Sequence, residues 1–412
     1  MEITAPDPLL RPSPAGVDLA DPGLYRGACQ HALWRTMREH APVHWQSAPN
    51  GTGFWSVTRY ADCDRILRDH QNYSSVDGTI LASVGIGDPA GGLTITLMDP
   101  PEHTAIRKPA MRLLGGSGVR RRLELIRARV DELLSPLAGG GEHDFAGLVR
   151  LLPMTMFGDM MGVPKPLWPQ IAHWAHASIA PEDPEFRTGN SPAESMRNAH
   201  HSLFELFTEA LRHSRRNPGD DLLTILSAME PAGQPMSEWQ ILLNCYSYIL
   251  GAHSTTPHVA AHTLSVLARR EDLWDAVAAD RSLIPALVDE GARWTSPTHH
   301  LVRRADAEAE LDGATIKAGD WVCAWVASAN RDEEVFADPY AFRLDRERNP
   351  HLSFGVGAHF CIGTHLSKAG LTMAFEWLFT HVRRVEPTGV PTHLLSNWIN
   401  GLTRMPVAVH PG

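Results

Sequence analysis

Apolar residues recur at helical spacing along most of the chain and alternate at strand spacing only in short runs. That pattern predicts a mainly α protein with small β-sheets, an α+β class. The run HALWRTMREHAPVHW reads as a short helix followed by a strand, Gly53 to Tyr60 alternates as a second strand, and Ala61 to Arg68 returns to helical spacing. Residues 76–97, rich in Gly, Ser and Thr, have no period and read as a loop. Pro and Glu after Asp99 announce a helix start, and Val119 to Leu134 is amphipathic with a basic cluster at Arg120, Arg121 and Arg122. Leu167 to Ile179 and Ala193 to Arg215 read as helices flanking a Pro/Gly/Asp-rich break. The strongest apolar pattern runs from Trp239 to about Leu267 and predicts one long central helix. Pro257 has no N–H to give the carbonyl of His253, so an opened turn is expected between Gly251 and Pro257. Leu283 to Trp294 and Gly363 to Phe379 complete the helices, and Glu310 to Gly313 opens a hairpin.

Composition adds limits. The chain has 412 residues, 43% hydrophobic and 20% charged, enough for a large core. No linker, charge block or repeat divides it, so one domain over 1–412 is expected, with an irregular Pro-rich segment over about 1–20. A formal charge of −10 argues against nucleic acid and anionic membrane as partners. Neither a secretory signal nor an apolar run long enough to span a bilayer is evident, so a cytoplasmic monomer is expected. Cys29, Cys63, Cys245, Cys323 and Cys361 are odd in number and scattered, which indicates neither a disulfide framework nor a zinc site.

The candidate chemistry centres on SFGVGAHFCIG, Ser353 to Gly363. A lone cysteine is usually a small buried hydrophobe. Here Gly355, Gly357 and Gly363 offer tight turns and bare N–H groups beside the sulfur, the layout of a thiolate-ligated haem loop. His103 and Arg107, four apart, share a helical face that can clamp a carboxylate, although such pairs are ordinarily solvated. Glu290 and Arg293, three apart, ordinarily form a surface ion pair. Gly251 and Ala252, with Thr255 one turn later, leave room for a small ligand over a flat cofactor. His253 reads as a satisfied helix histidine rather than a titrating group.

The run Phe354-Gly355-x-Gly357-x-His359-x-Cys361-x-Gly363 closely resembles the haem-binding loop of the cytochrome P450 family. The segment from Asp99 through His103 to Arg107, the long helix and Glu290-x-x-Arg293 match other anchors of that family in order. The resemblance implies the cytochrome P450 fold, with a long helix over the haem. It implies Cys361 as axial ligand of a haem b iron, Phe354 against the porphyrin, and His103, Arg107, Arg303 and His359 at its propionates. Glu290 and Arg293 would form a buried lock. Thr255 matches the threonine that helps pass protons to dioxygen, whereas Ser254 stands where an acid is usual. The implied pocket includes Leu93, Tyr248, Gly251, Ala252, His299, His300, Asn397 and Trp398, with the two histidines hinting at an oxygenated or aromatic substrate. The implied function is a monooxygenase that uses O2 to hydroxylate or epoxidise a small or medium organic molecule, in specialised-metabolite biosynthesis. Electrons would come from a ferredoxin or flavodoxin with an NAD(P)H reductase, since the length leaves no room for a reductase domain and no bound flavin is expected. The basic cluster, with Lys108, Arg112 and Lys368, is either a solvated face or a rim for that acidic partner. Ser254 keeps ring closure, coupling or peroxide-driven oxidation open, and a non-catalytic haem-binding protein is the reading from another class.

Overall fold

Helix starts are written into the chain and the computed structural model shows them used. Ser191 accepts from the N–H of Glu194 ahead of the longest helix, and Ser237 and Gln240 form a capping box ahead of the first half of the central one. The structure describes residues 6, 7, 10–27, 29–47 and 52–412. Residues 1–5, 8 and 9 of the expected irregular segment lie outside the described residues. Helices of nine or more residues are, in chain order, α1 Gln30–His40, α2 Tyr60–Arg68, α3 Glu102–Leu114, α4 Leu123–Leu134, α5 Leu152–Met161 and α6 Trp168–Ile179. They continue with α7 Pro192–Arg216, α8 Glu238–His253, α9 Thr256–Leu267, α10 Glu271–Ala279, α11 Ile284–Thr295 and α12 Thr364–His381.

One large apolar core joins α3 to α12, with α9 packed on α11, α11 on α12, and α8 against α6 and α7. A second cluster, around Trp34 and Trp325, lies between α1 and the principal sheet. That sheet has five strands in the order Val43–Ser47, Gly53–Val57, Trp321–Ala324, Leu301–Ala305 and Tyr73–Ser74. Its pairings are antiparallel except where Gly53–Val57 runs parallel to Trp321–Ala324. The expected hairpin joins Ala309–Leu311 to Ala314–Ile316, with Asp312 at φ 46° and Gly313 at φ 78°, the left-handed pair that a two-residue turn requires. No helix of the described residues is long and apolar enough to cross a membrane.

Two expected helices are divided. The stretch from Val119 to Leu134 is a short helix, Gly116–Arg120, then α4. Arg122 turns back between them to donate to Gly118 O and to Asp220. The central helix ends at His253 and restarts at Thr256, with Thr255 at φ −130° and ψ −61° between. The Thr255 hydroxyl, instead of its N–H, serves the carbonyl of Gly251 at 3.1 Å, and the N–H of His258 goes to Thr255 O instead of Ser254 O. Pro257, which cannot continue the first helix, sits in the first turn of the second.

Burial holds His176 and His299 down at about 4 and His262 and His300 at about 3. The unfolded chain takes up these protons near pH 6.5 and the folded chain only near 4 or below, so acid favours unfolding across that interval. At about 1.4 kcal/mol per unit, four such rings rival the roughly 5–15 kcal/mol that stabilises a whole domain. Circular dichroism on lowering the pH is expected to show cooperative unfolding before pH 4, and an intact helical signal at pH 4 would contradict this.

Candidate active site

The cysteine loop is held from behind. Glu290 and Arg293 on α11 are 1% and 0% exposed and form a two-pronged ion pair at 2.7 and 2.8 Å. Burial pushes the Glu290 carboxyl up, but Arg293, the N–H of Arg343 and Arg346 outweigh it and hold the group below the usual carboxylate range. Arg293 also donates to Asn330 O, Pro339 O and Ala341 O. Asn330 in turn accepts from Leu352 N–H at 2.7 Å and donates to Ser353 Oγ at 2.9 Å, while Ser353 Oγ donates to Ala292 O. The loop therefore leaves a fixed point. Gly357, at φ 70°, passes so near α2 that a Cβ would stand 2.8 Å from Arg68 Cα. The N–H of Cys361 closes the loop onto Phe354 O at 2.7 Å. Burial raises the Cys361 thiol, and the N–H groups of Gly363 and Thr364, the Thr364 hydroxyl and Arg107 act against that rise. Those donors favour a thiolate, and an iron would supply the remainder.

At the edge of the loop, His359 Nε2 lies 3.3 Å from Asp99 Oδ1 and from Ser75 Oγ, and its ring centroid is 4.4 Å from that of His103. Burial raises Asp99, but hydrogen bonds from His359, Ser74 and Ser75 N–H bring it to about 2. His103 is held at about 4 by burial and by the positive fields of His359 and Arg107. Arg107 donates to Phe360 O. Arg303 is buried and its one hydrogen bond goes to the adjacent Val302 O, while Arg304 points outward to Asp77. Burial brings Arg303 down to about 10, and among the described residues no carboxylate lies within ion-pair distance of it.

A cavity of about 1000 Å³ opens above the loop. Cys361, Phe354, Gly363 and His359 line it from one element, His103 and Arg107 from α3, and Tyr248, Gly251, Ala252, Ser254 and Thr255 from the broken helix. Nothing lies within 4 Å of where a Cβ on Gly251 would stand, so the groove there is open. Asn397 and Trp398 also line the wall, Asn397 being tied to Ala20 O. The Tyr248 hydroxyl and Trp398 Nε1 are buried without a partner.

Three expected pocket residues are not in the wall. His299 is turned into the core, its Nδ1 3.2 Å from Asn397 O and its ring 4.7 Å from Tyr25. His300 accepts the Leu81 N–H at 3.1 Å and packs against Trp325. Each is committed to a protein partner, which removes the hint of an oxygenated substrate that they carried; Thr298 and Leu301 on either side reach the cavity instead. Leu93 gives its carbonyl to Asn244 Nδ2, and the following residues, 94–97, form the wall. The sequence places Asn330 in the run that leads to the cysteine loop but assigns it no role of its own, although an asparagine closing a short helix, here Val326–Ala329, is a residue type that ties backbones together. It also missed the stretch of wall from His200 and Phe204 on α7 to Trp239 and Tyr246 on α8, which only the packing of those two helices assembles.

The family model for cytochrome P450 matches residues 182–406. Linalool 8-monooxygenase of Pseudomonas putida is 31% identical over 404 residues, covering 96% of this chain and 99% of that protein. The chain belongs to the cytochrome P450 family. Among solved structures, a Mycobacterium marinum cytochrome P450 in complex with pseudoionone superposes with a TM-score of 0.88 at 28% identity, over 97% of this chain and 99% of that one. P450 OxyD, involved in the biosynthesis of vancomycin-type antibiotics, gives 0.86 at 27% identity, over 96% and 100%.

Haem, the cofactor the P450 family implies, fits the residues present. A thiol with donors around it faces the cavity floor, a buried guanidinium without a counter-ion stands at Arg303, and Arg107 and the two rings of His103 and His359 gather at the loop's edge. The Glu290–Arg293 pair holds this floor, and removing one partner of a buried pair costs about 3–5 kcal/mol. Glu290→Ala is expected to lower stability by that order in denaturant titration and to purify with little haem; a stable, fully haem-loaded variant would show that the pair does not hold the loop.

Proposed function

We propose that this cytochrome P450 monooxygenase hydroxylates or epoxidises a neutral, largely apolar organic molecule of small or medium size in specialised metabolism. In this reading Cys361 would hold the iron of haem b through its thiolate, and His103, Arg107, Arg303 and His359 would serve the propionates. The observation that carries it is that Cys361 and the Gly251–Thr255 groove open on one cavity. Its charged wall groups away from the loop are Asp88 and Glu182. A linalool-oxidising relative, a pseudoionone-bound neighbour and one from antibiotic biosynthesis support a specialised metabolite of that apolar character.

Haem supplies the iron at which dioxygen is activated with thiolate push. The overall balance consumes substrate, O2, two electrons and two protons and yields the oxygenated product and water. This chain's part is positional. Gly251, bare of side chain, leaves space beside the groove, and Thr255, donating to Gly251 O, keeps its lone pairs free to accept a hydrogen bond. Ser254 offers a hydroxyl but no carboxyl proton near neutral pH. We read the 412 residues as one cytoplasmic, monomeric unit without a flavin. Electrons then arrive from a ferredoxin or flavodoxin served by an NAD(P)H reductase. The exposed Lys108, Arg112, Arg120 and Arg121 form its basic landing rim, whereas Lys368 and Arg122 are engaged with Asp289 and Asp220.

Ser254 favours a second reading, a ring closure, coupling or peroxide-driven oxidation. Haem-loaded protein with a ferredoxin, its reductase and NAD(P)H is expected to oxidise a ligand selected by its ferric Soret shift. Product from peroxide alone would transfer the assignment to the second reading. Cys361→Ser is expected to retain haem but lose the thiolate signature of the ferrous carbon monoxide spectrum, and an unchanged spectrum would remove Cys361 from the iron.

A further inference from the structure

Behind the opened turn, outside the cavity wall, lies a row of buried histidines that the reaction as described does not use. His253, the last residue of α8, is 0% exposed and neither of its ring nitrogens has a partner. The His176 ring of α6 lies 5.6 Å from it and 5.9 Å from His258 of α9, nearly edge-on to both. His262 follows His258 by one turn on the same face, and Nε2 of each is buried without a partner. His393, on the strand Thr392–His393 and partly exposed, stands 6.0 Å from His262.

Native proteins rarely leave buried polar atoms unsatisfied, and a buried polar space with several such atoms holds water. Ring centroids 5.6–6.0 Å apart, as between His176 and His253, His176 and His258, and His262 and His393, leave room for a bridging water, and His258 and His262 are neighbours one helical turn apart. His176 gives its Nδ1–H to Ala172 O at 2.8 Å, which leaves Nε2 as an acceptor for such a water. The row ends where the backbone ladder is broken: Pro257 has no N–H for His253 O, and Ser254 O is passed over by the N–H of His258. A turn opened in this way is where water enters a helix.

We propose that His393, His262, His258 and His253 form a water-linked route that brings protons from solvent to the opened turn at Ser254 and Thr255, with His176 positioning the shared water. The inference rests on the proposed O2-dependent reaction, which needs two protons per turnover at a turn that carries hydroxyls and no carboxylic acid. Each imidazole takes a proton on one nitrogen as it releases the proton on the other. One proton enters at His393, one leaves at the turn, and no electrons move along the row. Burial, the neighbouring imidazoles and the charges of Arg150 beside His258 and of Arg331 beside His262 disfavour imidazolium, so a proton passing through is not held there.

The test has two arms on the haem-loaded protein. A high-resolution crystal structure is expected to show ordered waters bonded to His253, His258 Nε2 and His262 Nε2 and continuous with the turn; a dry row overturns the proposal. With a ferredoxin, its reductase and NAD(P)H, His258→Phe and His262→Phe are expected to release several-fold more hydrogen peroxide per O2 consumed, with a larger solvent deuterium isotope effect. Haem content and the substrate-induced Soret shift should stay at wild-type values, and His262→Gln should restore part of the coupling. Wild-type coupling in both Phe variants overturns the route, as does a Gln variant no better than Phe. Absence of product from the wild type with this donor system counts against the proposed function instead, and the water structure then still decides the row.

Discussion

The ion pair between Glu290 and Arg293 is the constraint on which the site depends. Two opposite charges almost without solvent are tolerable only when every hydrogen-bonding position is used. Here Glu290 takes Arg293, Arg346, Arg343 N–H and Asn349, while Arg293 takes three backbone carbonyls from the irregular stretch that leads to the cysteine loop. A stretch without regular structure thus acquires a single conformation. Asn330 transmits that order to Leu352 and Ser353, and the loop that follows presents Cys361 at the cavity floor.

The opposite wall depends on an interruption. α8 ends at His253 and α9 starts at Thr256, with Thr255 outside helical angles between them and Pro257 unable to donate to the carbonyl of His253. Instead the Thr255 side chain does the work of a backbone amide, and a groove and a break coincide at the same residues. One face of the break lines the cavity and the other meets the buried histidines.

Much of this was legible in the chain. Local rules sufficed for the Asp312-Gly313 hairpin and the opened turn at Pro257, since each depends on residues within one or two turns of the feature. The family resemblance named the cysteine loop and the buried lock because those patterns are long and ordered. It failed at His299 and His300, which stand beside true wall residues but point away. Their rings were claimed by Tyr25, Trp325 and the Leu81 N–H, groups more than 200 residues distant in sequence for the last of these. Leu93 failed by a shift of one residue, because a loop without a period gives no signal of which side chains turn inward.

By itself, then, the sequence determined the fold class, the loop that brings the Cys361 thiol to the cavity and the place where the central helix opens. These follow from short-range sterics, from missing N–H groups and from motif spacing. Only the tertiary structure decided which residues share a surface. It turned His299 inward and Arg303 rather than Arg304 into the core, brought α7 and α8 together as a cavity wall, and aligned five histidines from four elements. Those outcomes rest on packing and on the satisfaction of buried polar groups by partners far along the chain, and no local pattern encodes such partners.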